Sequence, residues 1–155
     1  MIMEIIVLFF GVLAEVTHTS VRQYSNVNSF ADPNAEHDDW VELYNPTSSP
    51  VLLTGRYLTD NPANLTKWKF TQASFFIDPG EFLVIWCDED LTQTGLHSNF
   101  KLSKSGEFIA LVDTNGISII DSITFGQQQS DISYGRSPNN SSDWLFMDPT
   151  PGSSN

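Results

Sequence analysis

The chain of 155 residues contains a single cysteine, Cys87, so an internal disulfide framework is excluded. Cations are scarce: seven Lys plus Arg stand against nineteen Asp plus Glu, a net charge of −12. Nucleic-acid affinity rests on Lys and Arg displacing counterions from phosphates. The seven cations here are scattered without a basic run, so direct nucleic-acid binding is not expected. No apolar run approaches the ~20 residues of a membrane-spanning helix, so no transmembrane segment is expected. No segment keeps an apolar stripe at helical spacing for three turns, and no propeller-like repeat of ~40 residues recurs. His18, His37 and His97 are isolated, without zinc-ligand spacing. His97 and Ser98 are neighbours, so on a strand they face opposite ways and cannot act as base and nucleophile. Gly126-Gln127-Gln128-Gln129 lacks the Lys and the following helix of a phosphate loop. No catalytic residue is assigned, and the chain is not expected to be an enzyme.

What is present is a strand-forming alphabet. Hydrophobic residues make up 40% and charged residues 17%, enough apolar surface to exclude a disordered chain. Short alternating or apolar segments are separated by turn residues. Asp39–Tyr44 alternates, with Val41 and Leu43 on one face and Trp40, Glu42 and Tyr44 on the other. Val51–Leu53, Arg56–Thr59, Lys67–Phe70, Phe75–Ile77 and Phe108–Val112 read as further strands, as do Ile117–Phe125, Ile132–Arg136 and Trp144–Met147. Lys67–Phe70 alternates charge with aromatic rings, as an edge strand does. Glu81–Cys87 is apolar on both faces, which places it centrally. Asp78-Pro79-Gly80 and Asp113-Thr114-Asn115-Gly116 are turns. The pattern predicts an all-β fold, a β-sandwich of two mostly antiparallel sheets, with a barrel as the other closed solution.

These segments, taken in order, resemble the lamin tail domain in its bacterial form. The residues that carry the resemblance are Asp38–Asn45, Leu53–Asp60, Lys67–Phe70, Ile77–Asp88, Gly95–Glu107, Asp121–Gly126, Ser133–Arg136 and the ending Thr150–Asn155. The resemblance implies an immunoglobulin-like β-sandwich. It further implies a non-catalytic interaction or anchoring module of secreted or cell-envelope proteins, with a protein or neighbouring domain as partner. The family's opening strand, Ile-Asn-Glu, is not matched by Thr19–Tyr24, although Ser25-Asn26 stands where expected.

The domain is therefore placed at residues 26–148, with a linker-like tail at 149–155. Residues 1–25 read as a secretory leader, a diverged first strand, or residues foreign to the domain after a wrong start. The ten residues Ile5–Ala14 have the length of a leader's apolar core, but Glu4 and the lack of Lys or Arg before them do not fit one. A leader would place the chain outside the cell or in the envelope.

Seven of the nineteen acids fall in two places, four within Asp32–Asp39 and three at Asp88–Asp90. Asp32, Asn34, Glu36 and Asp38 recur at every second residue, with Asp39 following. Alternating oxygen donors in a curled loop are what calcium uses, although His37 replaces the glycine of an EF-hand loop. The other reading is a solvated turn. Asp88 and Asp90 would join such a site only if the two loops met. With a bound metal and water, the same acids would make a minor alternative, a metal-dependent hydrolase. Among the four Trp residues, Trp68 between Lys67 and Lys69 is the candidate ligand-binding ring, the basis of a carbohydrate-binding alternative.

Overall fold

The computed structural model describes residues 30–129, 131–136 and 143–154, together with the strand Glu15–Val16. Among the described residues there is no helix, and eleven strands form the fold. One sheet carries β1 (Glu15–Val16), β2 (Trp40–Tyr44) and β7 (Phe82–Trp86), in the order β1-β2-β7. The other carries β4 (Tyr57–Thr59), β5 (Trp68–Lys69), β8 (Glu107–Val112) and β9 (Ile119–Phe125), in the order β5-β4-β8-β9. All of these pairs are antiparallel. Two ribbons complete the structure: β3 (Val51–Leu52) with β6 (Phe76–Ile77), and β10 (Ser133–Arg136) with β11 (Trp144–Met147).

Val41, Leu43 and Ile85 from the first sheet meet Leu58, Ile109, Leu111 and Phe125 from the second in one buried core. Strand alternation accounts for this, because residues two apart share a face. The same alternation aims Trp40, Glu42 and Tyr44 away from that core, yet Trp40 and Glu42 are both fully buried. Phe30 makes an edge contact with Trp40 and stacks on Trp86, with ring centroids 5.4 and 5.1 Å away. The Glu42 carboxylate accepts the backbone N–H of Gly152 at 2.6 Å. A buried carboxylate needs such donors. The tail read as linker-like is thus tied back to the centre of β2. At the other end of the sequence, Glu15–Val16 pairs with Tyr44 and Leu43. The remainder of 1–25, where a leader is one reading, lies outside the described residues.

The turns behave as their chemistry requires. Glu81 N–H donates to Asp78 O at 3.1 Å across Pro79-Gly80, and Gly80 takes the positive φ of 76° that this turn needs at its third position. Asn45 locks the neighbouring loop: its Nδ2 donates to Ser49 O and Ile77 O, and its Oδ1 accepts Thr47 N–H.

Glu107 opens β8 and accepts the Ser103 N–H across the tight turn that contains Gly106. Burial, opposed by that hydrogen bond, pushes its carboxyl up to about 7, and Asp60 adds to the rise. The unfolded value is near 4.3, so the folded state holds an extra proton between the two. The resulting stabilisation is complete below pH ~4.3 and is lost as pH rises through about 7. Glu107→Gln is therefore expected to melt higher than the wild type at pH 8 and alongside it at pH 4. The side chain is only partly buried, so solvent screening limits the gain to about 1 kcal/mol, or ~2–4 °C. Calorimetry of both proteins across this pH range checks it.

Candidate functional site

The two acidic segments meet at one end of the sandwich because β2 and β7 are neighbours. Trp40 pairs with Trp86, so the loop before β2 and the loop after β7 emerge side by side. Cys87 N–H donates to Asp39 O, and Gln93 Nε2 donates to Glu36 Oε2 at 2.7 Å. Spacing along the sequence could not reveal this contact.

Within the first loop, Asp32 Oδ1 accepts the backbone N–H groups of Asn34 and Glu36 at 2.9 and 2.7 Å. Asp32 N–H in turn donates to Glu36 O, and Ala35 takes a φ of 64°. The result is a self-capped turn in which Asp32 is buried while Asn34 and Glu36 are exposed. The alternation of acids thus does not aim all of them at one point. Asp39 is buried and Asp38 is half-buried. Burial raises the Asp38 carboxyl above its ordinary value, Asp88 and Glu36 push it further, and Lys101 opposes them. Burial raises Asp39 well above the usual carboxylate range. Among the described residues, no three His, Cys, Asp or Glu side chains are grouped so as to hold a metal ion.

The run Asp88–Asp90 divides sharply. Asp88 is buried, whereas Glu89 and Asp90 are exposed. Glu89 adopts a φ of 69°, which swings the chain outward directly after Asp88. Asp88 Oδ2 accepts His97 Nδ1–H at 2.7 Å, with both side chains almost wholly out of solvent. Its Oδ1 accepts Asp90 N–H. His97 Nε2 lies 3.2 Å from Thr94 O. The Asp88 carboxylate on one side and the Thr94 carbonyl on the other hold the buried ring in place. Cys87 beside it is fully buried, and burial pushes its thiol well up, which makes it a poor nucleophile.

Sequence reasoning singled out Trp68 but missed the other residues, His97 among them, that build a surface with it. A groove with a cavity of about 200 Å³ lies between β5 and residues 91–97. Trp68, Thr71 and Gln72 form one wall, and Leu91, Leu96 and His97 the other. Trp68 is half-buried, because its ring packs edge-on against Phe70 in the core while lining this groove. The signal available in the sequence was the edge-strand pattern of Lys67–Phe70 beside a loop rich in Gly, Ser and Thr.

Among the described residues, no helix is long and apolar enough to cross a membrane. Compared with known proteins, residues 22–127 match the family model of the Lamin Tail Domain. The match covers β2 to β9 and stops before β10. No curated protein and no solved structure matched the chain. The match spans most of the chain and agrees with the two-sheet antiparallel fold, so this protein belongs to the lamin tail domain family, with its immunoglobulin-like β-sandwich.

Proposed function

We propose that this lamin tail domain is a non-catalytic interaction module that holds a protein partner of the cell envelope or exterior on its strand edges. The observation that carries the reading is the state of β11. Leu145 is 51% exposed and Phe146 44% exposed. Consecutive strand residues point to opposite faces, so β11 presents large apolar side chains to water on both. Such an edge is a template for association. Tyr134 and Trp144 pack the same ribbon onto the core, so it is presented on a firm base. The non-catalytic part of the reading is supported by the burial of His97 against Asp88 and by the buried Cys87.

Leu145→Lys tests the reading. An exposed position tolerates the change within about 0.5 kcal/mol, so the melting temperature is expected to hold within ~2 °C. In quantitative affinity capture from the producing cells, a protein retained by the wild type is expected to fall about tenfold with the variant, as at an interface hot spot. Equal recovery of every retained protein would sink the reading. The envelope placement rests on the leader-like composition of residues 5–14, and mass analysis of the chain recovered from those cells tests it: an intact Met1–Ala14 segment counts against export by cleavage.

A further inference from the structure

We infer that the groove beside β5 receives an extended, lysine- or arginine-bearing peptide segment of a partner protein, which adds as a strand between β5 and residues 95–98. The inference rests on the interaction-module reading and gives that module a second, chemically defined site.

The register of β5 sets up one wall. Leu58 pairs with Trp68 and Tyr57 with Lys69, and Phe70 N–H donates to Arg56 O at 3.0 Å. Trp68 and Phe70 therefore turn their main-chain groups toward β4. In an antiparallel ladder the alternate residues Lys67, Lys69 and Thr71 turn theirs off the sheet edge. Lys67 O is taken by Asn99 Nδ2 at 2.9 Å, a side chain standing where a strand would be. One step further along, the Lys69 N–H and C=O have no partner among the described residues.

The opposite wall is built in the same way. Trp86 N–H donates to Leu96 O at 2.8 Å, and Ser98 N–H donates to Trp86 O at 2.7 Å. His97 between them is bridged in parallel to Trp86, so its own N–H and C=O point away from β7. Lys69 and His97 line the same cavity. Two edges with outward main-chain donors and acceptors thus border one gap. An extended peptide supplies matching groups on both of its sides, repeating every ~7 Å.

Size and charge narrow the occupant. The cavity of about 200 Å³ is smaller than the ~300–1,000 Å³ of a typical small-molecule site, which suits one side chain of a strand that runs on beyond it. The lining is mainly polar, with Thr71, Gln72 and His97 beside Trp68, Leu91 and Leu96, which suits the long stem and charged head of a basic side chain. The exposed carboxylates of Glu89 and Asp90 directly precede Leu91 at the rim, and the whole chain carries −12. Lys69 does not offset them, because its ammonium lies over the Tyr57 ring, 5.3 Å from the centroid, on the face opposite Trp68. Basic segments are attracted and acidic ones repelled.

The test titrates the full ¹⁵N-labelled chain with an acetylated, amidated hexapeptide of alternating lysine and valine, followed by NMR. Saturable shifts are expected, largest at the amides of Lys69, Thr71 and His97. Binding is expected to weaken about tenfold when alternate peptide nitrogens are methylated, and about tenfold when glutamate replaces lysine. Leu91→Lys, at an exposed side chain, is expected to weaken it about fivefold with an unchanged melting temperature. Equal binding by the methylated peptide, shifts centred on β9 or β11, or no saturable shift would each overturn strand addition at this groove. None of these results touches the Leu145→Lys test, so the two readings fail separately.

Discussion

Asp88→Ala is expected to cost about 3–5 kcal/mol, because it leaves the His97 ring buried and deprived of its carboxylate partner. The pair is 2.7 Å long with side chains at 0% and 1% exposure, so water cannot replace the lost acceptor. The same change removes the acceptor of Asp90 N–H, which holds the outward turn at Glu89. For a chain of this size the melting temperature falls by roughly 2–4 °C per kcal/mol, so a loss of about 10 °C is expected. Asp90→Ala, two residues on and exposed, is expected to change stability by no more than ~0.5 kcal/mol. A denaturant series on both variants makes the comparison. Equal, small effects from the two would mean that the pair does not hold this end of the sandwich. The double variant Asp88→Ala/His97→Ala supplies the coupling: its cost is expected to be less than the sum of the two single costs, because the second change removes the stranded group.

Gly106→Ala is expected to cost about 3 kcal/mol or more, through backbone strain and a clash together. Gly106 sits at φ +101°, and a Cβ there would lie 2.3 Å from Phe125 O and 2.7 Å from Gly126 Cα. These obstacles are backbone of β9 and the residue after it, so no side-chain rotation relieves them. The turn can accept the methyl only by moving away from β9, which disturbs the Glu107–Phe125 pairing that starts the β8–β9 ladder. Gly80→Ala makes a useful contrast. It shares the positive φ but has nothing within 4 Å, so it isolates the conformational part, about 1 kcal/mol. Similar melting temperatures for the two variants would show that the close approach at Gly106 is not the main source of its loss.

Much of the fold was legible because strands and turns are local. Val41 and Leu43 alternate with Trp40 and Glu42 at a period of two, and Asp78-Pro79-Gly80 carries its own turn geometry. The apolar run at Glu81–Cys87 is a central strand as its composition implies, since β7 has β2 on one side and residues 96–98 on the other. Lys67–Phe70 is likewise an edge, because β5 ends its sheet. The burial of Glu42 was not legible. Its donor, Gly152, lies 110 residues away, and nothing near Glu42 in the sequence announces it.

The candidate sites divided along the same line. Three consecutive carboxylates at Asp88–Asp90 look alike in sequence, and only the fold sends one inward to His97. The loop at Asp32–Asp39 looks like a set of ligand oxygens, but Asp32 Oδ1 is taken up by two backbone amides of its own turn. The groove beside β5 shows in sequence only through the edge-strand pattern around Trp68, because it is a space between segments that are about twenty residues apart or more.

By itself the sequence determined the all-β character, the positions of most strands and turns, the family, and a charge of −12 with seven of the nineteen acids in two loops. The physical reason is that period-two burial, proline and glycine turn chemistry and net charge are written in neighbouring residues. Tertiary structure decided which acids are buried, which histidine nitrogen meets which oxygen, and where two sheet edges stop short of each other. Those outcomes depend on long-range pairing, where the cost of an unpaired buried group selects partners that sequence distance does not reveal.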